Sequence, residues 1–404
     1  MDGDERQIVT ITMLAHAAVH VFELSIPVFI PIWLVEFGLT PAEIGLVVAL
    51  GYGIYGIGAL PGGVLADRRG SRRLILFSVV GMAASFVALS LARDPIVLAL
   101  SLVLWGVAAS VYHPAGLSLI STGVSRRGTA LGYHGMAGNV GIALGPLATI
   151  VLLLFFDWRI VALALTIPAI VTIPVVLVSN PDESGAEDAA DGDGEPDDVS
   201  LRRTLIDDTR TLFVGAFAFV FVLYVLEGLY YRGILTFLPE LLAGFAVFEP
   251  VAVGDRSIDP DQYLYSGLLL VGVASQYAAG RISDRIRPER GVLVVFLSLA
   301  VLAVLYVPAV EAGPVPLIAV SVLLGLFLFG LQPFMQASVA EHSPPSVRGL
   351  SFGFVFAGIF GIGAAGAAVS GFVLTYSTPA VMFLVLAAFA ALAVPVAYAV
   401  LDRY

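Results

Sequence analysis

The sequence predicts an all-α membrane protein with twelve transmembrane helices arranged as two six-helix pseudo-symmetric bundles. Its mean hydropathy is +0.96 and only 13% of its residues are charged, whereas a soluble domain carries about a quarter. Apolar runs of about twenty residues, the length that crosses the hydrocarbon layer, follow one another almost end to end. The runs are continuous instead of alternating, which favours helices over the strands of a barrel.

The twelve predicted spans fall into two groups of six. The first group covers residues 10–36, 42–66, 73–92, 96–121, 128–154 and 158–179, and the second covers 211–242, 262–283, 291–309, 314–340, 349–375 and 378–401. Between them lies a segment rich in Asp, Glu, Gly and Pro, a composition typical of a mobile linker. We therefore expect an N-terminal bundle at 1–180, an acidic cytoplasmic linker at 181–208 and a C-terminal bundle at 209–404.

The positions of the arginines predict how the chain crosses the membrane. All twenty basic residues are arginine, and positively charged residues are retained on the cytoplasmic side of a membrane. Sixteen of the twenty lie on one side of the predicted spans, whereas Arg93, Arg159 and Arg256 lie on the other side and Arg232 lies within a span. We therefore expect a plasma-membrane protein with both termini in the cytoplasm.

The remaining composition excludes several classes of protein. The formal net charge of −11 argues against nucleic-acid binding. An acidic, lysine-free surface suits high salt, where repulsion between carboxylates is screened, so a halophilic source is expected. Cysteine is absent, which excludes disulfides. The sequence has neither a phosphate-binding Gly-Lys-Ser/Thr loop nor a recognised spacing of catalytic serine, histidine and acid, so we expect no enzyme and no cofactor.

The two halves repeat one another in sequence. "GGVLADRRGSRR" at 62–73, after the second span, matches "AGRISDRIRPER" at 279–290, after the eighth. In the same order along the chain, "RRGTALG" matches "VRGLSFG", "YHP" matches "LQP" and "FIP" matches "FLP". Matches at a nearly constant offset indicate two parallel repeats related by an axis along the membrane normal.

With these motifs the chain resembles the major facilitator superfamily over essentially its whole length. The hallmark of that family is a Gly-x-x-x-Asp-Arg-x-Gly-Arg-Arg loop between helices 2 and 3, and Ser71 stands here where the first of the paired basic residues is usual. In the second copy, Arg287 replaces the later glycine. The matching residues are Gly63, Asp67, Arg68, Gly70 and Arg72 in the first copy and Gly280, Asp284 and Arg285 in the second.

The resemblance implies that this loop is a conformational latch. The carboxylate of Asp67 would cap the N-terminus of a helix in the other half, which we expect to be helix 11, and would pair with Arg68 or Arg72. Closing this contact would stabilise the outward-facing state. The alternative is a basic turn that only satisfies the positive-inside rule, which requires neither the acid nor the glycine spacing.

Two further segments narrow the resemblance. "GIALGP" in helix 5 contains Gly141, Gly145 and Pro146 and fits the Gly-x-x-x-Gly-Pro signature typical of the family's antiporters. "SVYHPAG" and "GMAGNVGIALGP" resemble the fosmidomycin-resistance exporters, mainly within the first 150 residues. Helix 4 departs from the drug-exporter pattern because it contains no arginine. The resemblance implies a transporter that works by alternating access.

Helix 1 carries three ionisable residues on one face. His16, His20 and Glu23 stand at positions i, i+4 and i+7. A charge at mid-membrane costs roughly 2.5–3.5 kcal/mol even on insertion scales, so this face is expected to border an aqueous cavity. We predict a proton or cation site there, with Glu23 taking up the proton. The alternative is a set of interhelical hydrogen bonds that only hold helices together.

Polar residues on four other helices complete the predicted substrate or coupling-ion cavity. His113 precedes Pro114, which frees a backbone carbonyl and favours a bend. Glu227 aligns with the depth of His20, and Arg232 is expected to pair with Glu227 or to bind an anionic group of the substrate. The further members are His134 and Asn139 on helix 5 and Gln332 and Gln336 on helix 10.

Zinc binding is an alternative interpretation of the histidines. His16 and His20 have the one-face spacing of a ligand pair, and Glu23 or His113 would complete the set. Polar lining of a cavity explains the same residues, so we predict no metal site.

The sequence therefore predicts a secondary active transporter that holds a small molecule between its two bundles. We expect proton- or sodium-coupled efflux of a drug-like or organic anionic solute by a monomer whose partners are that substrate and membrane lipids. An importer of an organic anion or similar solute, with Arg232 as its anchor, is the alternative within this class. A non-transporting receptor or scaffold with the same fold is a rival from another class, and it would tolerate loss of Glu23 and Glu227.

Overall fold

The computed structural model describes residues 1, 3–179, 207–245, 247–253, 256–258, 260–343 and 348–403. Eleven helical spans among these residues are long and apolar enough to cross a membrane, and each overlaps one of the predicted spans. The remaining predicted span, 262–283, is also a helix, Pro260–Ser283, which is 24 residues long. It reaches about 36 Å, but its polar residues make it less apolar than the others. The predicted all-α fold with twelve membrane helices is confirmed.

The N-terminal half is built from nine helical segments among the described residues. They are α1 Gly3–Glu36, α2 Pro41–Ile57, α3 Ala59–Arg69, α4 Ser71–Ser90, α5 Pro95–Ser110, α6 Tyr112–Gly123, α7 Arg127–Leu153, α8 Trp158–Ala164 and α9 Ile167–Val178. Segments α2 and α3 form one span, as do α5 with α6 and α8 with α9.

The C-terminal half begins its membrane helices at Phe217, later than the predicted residue 211, after a separate helical stretch at 207–213. Its helices are α10 Phe217–Phe245, α11 Pro260–Ser283, α12 Pro288–Glu311, α13 Pro314–His342, α14 Arg348–Phe356, α15 Ala365–Tyr376 and α16 Pro379–Arg403. Segments α14 and α15 form one span, joined by a π turn at Ala357–Gly361 and a 3-10 turn at Ile362–Ala364. Most of the predicted linker 181–208 lies outside the described residues, so the domain boundaries stay a prediction.

Prolines explain why three spans of the N-terminal half are divided. Pro61, Pro114 and Pro168 lie in the first turn of α3, α6 and α9. A proline lacks the N–H donor, and its ring clashes with the carbonyl four residues earlier, so it weakens the helix at the preceding turn and favours a break there. The division between α5 and α6 places His113 at a bend, as predicted.

A short hairpin between α10 and α11 was not predicted. β1 Val251–Val253 and β2 Arg256–Ile258 are antiparallel, and Val251 pairs with Ile258. Strands of three residues are too short for an alternating pattern to be recognised in the sequence.

The two halves meet along α2 and the span formed by α14 and α15. The backbone N–H of Ala42 donates to Thr375 Oγ1 at 2.8 Å. Further along α2, Gly56 lies against the backbone of Gly361, where an added Cβ would collide. Small residues allow helix backbones to approach closely in a membrane. The contact therefore holds α2 against the π turn, beside the residues that line the centre of the protein.

Candidate functional site

A buried ion pair joins the two halves of the chain. Glu23 lies on α1 and Arg232 lies on α10, and Arg232 Nη2 donates to Glu23 Oε1. Both side chains are at most 2% exposed. Removing one partner of a buried pair costs roughly 3–5 kcal/mol, because the other charge stays buried without compensation. The pair therefore favours the arrangement in which α1 and α10 lie side by side.

Aromatic rings surround the guanidinium group of Arg232. Its central carbon lies 3.7 Å from the centroid of the Tyr52 ring, 5.2 Å from that of Tyr231 and 5.3 Å from that of Phe360. A cation over an aromatic face gains about 2 kcal/mol when both are desolvated. Arg232 Nε has no hydrogen-bond partner among the described residues. An anion that reached this arginine would therefore find a free donor beside flat aromatic surfaces.

A chain of hydrogen bonds runs along α1 from the ion pair. His20 Nδ1 donates to Glu23 Oε2 at 2.7 Å, and His20 Nε2 lies 3.1 Å from His16 Nε2. At the far end, His16 Nδ1 donates to the backbone carbonyl of His134 at 2.7 Å. The three residues predicted to share one face of helix 1 therefore form successive hydrogen bonds, Glu23 to His20 and His20 to His16.

Two more histidines pack against His16. The ring of His134 stacks on it with centroids 3.9 Å apart, and the ring of His113 meets it edge-on at 5.1 Å. His113 Nε2 and His134 Nδ1 are buried and have no hydrogen-bond partner among the described residues. All four histidines predicted to line the cavity thus lie together in the N-terminal half.

The histidine cluster is the place where a metal ion could be held. Ring nitrogens of His16, His113 and His134 lie within 4.8 Å of one another. However, both nitrogens of His16 already form hydrogen bonds, so this residue has no nitrogen left for a metal. Zinc sites use three or four ligands at about 2 Å. The geometry favours hydrogen bonding over metal binding at His16, and the predicted lack of a metal site stays a prediction.

The predicted pairing of Arg232 with Glu227 is wrong. Glu227 Oε1 instead accepts a hydrogen bond from Gln332 Nε2 of α13 at 2.6 Å. Residues five positions apart on a helix point about 140° apart, so Glu227 and Arg232 face different neighbours. His20, at whose depth Glu227 was expected, bonds to Glu23 and His16.

Two other predicted cavity residues lie outside this network. Asn139 is half-buried on α7, and Gln336 is exposed on α13. Within the described part of the chain, neither side chain forms a hydrogen bond to the histidines or to the ion pair. Their role in the cavity stays a prediction.

The glycines of the GIALGP segment bring α7 against α1. A Cβ on Gly141 would collide with the backbone carbonyl of Ala17, and one on Gly145 would lie 2.8 Å from Val21 Cα. Pro146 is buried in the same helix. Because the two backbones approach so closely, the carbonyl of His134 on α7 comes within reach of α1. The glycine motif therefore serves packing that positions the histidine chain.

One arginine of the predicted latch bonds within its own half. Arg72 Nε and Nη2 donate to the carbonyls of Val176 and Leu177, each at 2.9 Å. These carbonyls belong to the last turn of α9, whose carbonyls lack intrahelical partners and attract a cation. Gly70, with φ +83°, supplies the turn between α3 and α4. These contacts make Arg72 a cap for α9.

The rest of the latch is described only in part. The side chains of Asp67 and Arg68 lie outside the described residues, so their contact with helix 11 stays a prediction. The halves do meet near this loop, because a Cβ on Gly353 of α14 would lie 2.9 Å from Leu60 of α3. The other members are Gly63 on α3, Gly280 on α11, and Asp284 and Arg285, which are exposed after α11.

Tyr52 is a site residue that the sequence did not single out. It lies on α2, and its hydroxyl donates to the backbone carbonyl of Glu23 at 2.6 Å. The sequence did place Tyr52 at the same depth in the membrane as Glu23, because the two residues stand at similar distances from the turn between α1 and α2. Aromatic residues are common in every span, so depth alone did not distinguish Tyr52 from packing residues.

A cavity of about 380 Å³ lies between the halves on the Glu36 side of the ion pair. It is bounded by α1, α7, α8, α10 and α11, and its polar lining residues include Asp157, Gln262 and Tyr263. Val28, which lines it, is five residues from Glu23, about 7.5 Å along the helix. The cavity therefore approaches the ion pair from one end of the bundle.

Comparison with known proteins gives partial matches to curated relatives. The chain is 37% identical over 103 residues to a puromycin resistance protein of Streptomyces alboniger, which covers 25% of this chain and 20% of that protein. It is 31% identical over 146 residues to a gallate transporter of Pseudomonas putida, which covers 35% of this chain and 32% of that protein. Each match spans less than a third of the relative's length.

The comparison with solved structures extends over the whole chain. The crystal structure of the nucleoside transporter NupG superimposes with a TM-score of 0.78 at 13% identity, covering 99% of this chain and 100% of that chain. This likeness concerns the fold. The model of the Major Facilitator Superfamily matches residues 12–254 and 237–403, which include both halves. The chain therefore belongs to the Major Facilitator Superfamily.

Proposed function

We propose that this protein is a secondary active transporter that takes up a small organic anion together with a cation by alternating access. The observation that carries the proposal is the buried ion pair of Glu23 and Arg232 between the two halves. Alternating access requires contacts between the halves to form and break. An ion pair at that junction makes the change depend on what else binds there.

The coupling follows from competition for Arg232. An anionic substrate reaches this guanidinium only by replacing the carboxylate of Glu23, which then needs a new partner inside the protein. A cation that neutralises Glu23 supplies that partner. Each ligand therefore strengthens binding of the other by the same factor, as linkage requires. A cation gradient directed inward would then drive uptake of the anion.

The surroundings of Arg232 support a planar anion as substrate. Tyr52, Tyr231 and Phe360 present aromatic faces to the guanidinium, and a guanidinium matches the geometry of a carboxylate. The similarity to a transporter of gallate supports the same class of solute.

Efflux, the direction expected from the sequence, is the second candidate. It is supported by the similarity to a puromycin resistance protein. The resemblance of the segments "SVYHPAG" and "GMAGNVGIALGP" to fosmidomycin-resistance exporters supports it as well. In that case binding of the solute and binding of the cation would exclude each other instead of occurring together. The acidic composition suggests that either activity operates at high salt, and localisation in the plasma membrane with cytoplasmic termini remains part of the proposal.

Flux measurements in proteoliposomes test the proposal. We expect an imposed inward cation gradient to drive accumulation of an aromatic carboxylate such as benzoate or gallate. Glu23→Gln should abolish this accumulation and retain exchange of labelled for unlabelled solute, since the amide mimics the neutralised carboxyl. Arg232→Lys should lose both activities, because lysine does not reproduce the planar donor.

The control is Glu341→Gln, the same acid-to-amide change at an exposed position on α13, which should behave as the unmodified protein. If an inward cation gradient instead drives solute out of preloaded vesicles, the result would support efflux. Unchanged coupled flux in Glu23→Gln would contradict both candidates.

A further inference from the structure

We propose that the coupling cation is a proton and that His16, His20 and Glu23 share it along their hydrogen-bond chain. This inference rests on the proposed transport function, in which a cation neutralises Glu23. It adds the identity of the cation and the atoms that hold it. The chain has three links: Glu23 Oε2 to His20 Nδ1, His20 Nε2 to His16 Nε2, and His16 Nδ1 to the carbonyl of His134.

Counting hydrogens shows that the chain is complete only with an added proton. Each of the three links needs one hydrogen between its two heavy atoms. A neutral imidazole carries one N–H and an ionised carboxylate carries none, so neutral His16, neutral His20 and ionised Glu23 supply two hydrogens. One link would then set two lone pairs against each other. A single bound proton fills that gap.

The added proton has three places along the chain. It lies on Glu23 Oε2, on His20 or on His16. In moving from Glu23 to His20, the Oε2–H bond breaks as the Nδ1–H bond of His20 forms. In moving on, the Nε2–H bond of His20 breaks as the Nε2–H bond of His16 forms, while His16 Nδ1 keeps its hydrogen toward the His134 carbonyl throughout. No heavy atom has to leave its place, since adjacent atoms are 2.7 and 3.1 Å apart.

The position of the proton changes the charge that faces Arg232. With the proton on a histidine, Glu23 is ionised and pairs with Arg232 at full strength. With the proton on Glu23, the carboxyl is neutral and the guanidinium loses its counter-charge. The proton thus determines whether the two halves are held by an ion pair or whether Arg232 is free for an anion.

The geometry disfavours sodium at the same site. Sodium, like other hard cations, is held by several oxygen ligands. Both oxygens of Glu23 already accept hydrogen bonds, Oε1 from Arg232 and Oε2 from His20. The next groups along the chain are imidazole nitrogens and the guanidinium. Binding sodium would therefore require the carboxylate to give up one of these hydrogen-bond partners.

Other titratable groups face the chain from the neighbouring helices. Tyr52 and Tyr55 approach from α2, and Tyr52 bonds to the Glu23 backbone. Tyr112 and His113 approach from α6, and both rings lie within 6 Å of the His16 ring.

On the remaining sides, His134 approaches from α7, Tyr231 and Arg232 from α10, and Tyr265 from α11. Among these groups Arg232 is the one with a permanent charge, and it pairs directly with Glu23.

The first test is nuclear magnetic resonance of full-length protein in detergent with 15N-labelled histidine and no solute present. The protein has five histidines. His342 bonds to Glu289 and is no part of the hydrogen-bond chain, so it provides a reference signal. We expect the ring nitrogens of His16 and His20 to change together in one titration step. In Glu23→Gln this joint step should be lost. Separate steps for the two histidines, or a joint step that survives in Glu23→Gln, would overturn the proposal.

The second test measures flux with His20→Gln and His16→Gln, each checked for its melting temperature and gel-filtration profile. We expect both variants to lose accumulation driven by a pH gradient and to retain solute exchange, and Glu341→Gln to retain both. A sodium gradient at constant pH should drive no accumulation in the unmodified protein. Sodium-driven accumulation, or pH-driven accumulation that persists in His20→Gln, would overturn the proposal. If the unmodified protein moves no solute at all, the transport function fails, and the resonance experiment still decides whether the proton site exists.

Discussion

The hydroxyl of Tyr52 donates a hydrogen bond of 2.6 Å to the backbone carbonyl of Glu23. In a regular helix this carbonyl would accept from the N–H four residues later, but that residue is Pro27, which has none. In a membrane every such group needs a partner. A residue of α2 therefore completes the backbone of α1 at the position that carries the ion pair.

We predict that Tyr52→Phe destabilises the protein by about 1–3 kcal/mol, the cost of leaving a buried carbonyl without a donor. The ring over Arg232 would remain, so the cation–π contact is preserved. Tyr52→Leu removes both interactions and should cost about 2 kcal/mol more. Melting temperatures in detergent measure the difference. Equal stability of the two variants would contradict a contribution from the ring.

We predict that Gly141→Ala disrupts the packing of α7 on α1. The new Cβ would collide with the carbonyl of Ala17, and forcing atoms into a packed interior costs typically about 1–3 kcal/mol. If α7 moved away from α1 to relieve the collision, the His134 carbonyl would also move away from His16. The matched control is Gly132→Ala on the same helix, where nothing lies within 4 Å of the added carbon. Alanine is the better helix former by about 1 kcal/mol, so the control should hold or gain stability.

The polar face of α1 could be predicted because its geometry is local. Helix periodicity fixes the relation of His16, His20 and Glu23 whatever packs around them. The same holds for the bend at His113, which follows from the chemistry of Pro114. The bonds His16–His20 and His20–Glu23 confirm that these residues share a face.

The partner of Arg232 could not be predicted because it depends on how α10 is rotated about its axis. This helix is apolar on nearly all sides, so its sequence pattern leaves the direction of any one residue undetermined. The pairing of Glu227 with Gln332 could not be predicted either, because it joins α10 to α13, two helices far apart in sequence. The role of Tyr52 depends in addition on a missing donor in another helix.

We predict that Arg72→Gln lowers stability by about 1 kcal/mol, because two hydrogen bonds to the last turn of α9 are lost. Arg73→Gln, at the exposed neighbouring position, is the control and should change stability by no more than a few tenths of a kcal/mol. If Arg72 acted mainly as part of a latch between the halves, its loss would slow solute exchange with little change in melting temperature. Measuring both quantities separates the two roles.

The buried acids Glu23 and Glu227 should respond differently to the same substitution. Glu23→Gln leaves Arg232 buried without a counter-charge, and we expect a loss of roughly 3–5 kcal/mol in stability. Glu227 has an amide, Gln332, as its partner, so Glu227→Gln exchanges one hydrogen-bonding group for another and should cost under about 1.5 kcal/mol.

Combining Glu23→Gln with Arg232→Leu should recover part of the loss, since a buried pair replaced as a whole is tolerated better than one broken on a single side. Unfolding in increasing denaturant measures the stability of the unmodified protein, of Glu23→Gln, of Arg232→Leu and of the double variant. The outcome that would contradict the ion pair as the tie between the halves is a double variant whose loss equals the sum of the two single losses. Additivity of that kind means that the two residues do not interact, and the competition for Arg232 on which coupled uptake depends would then have no physical basis.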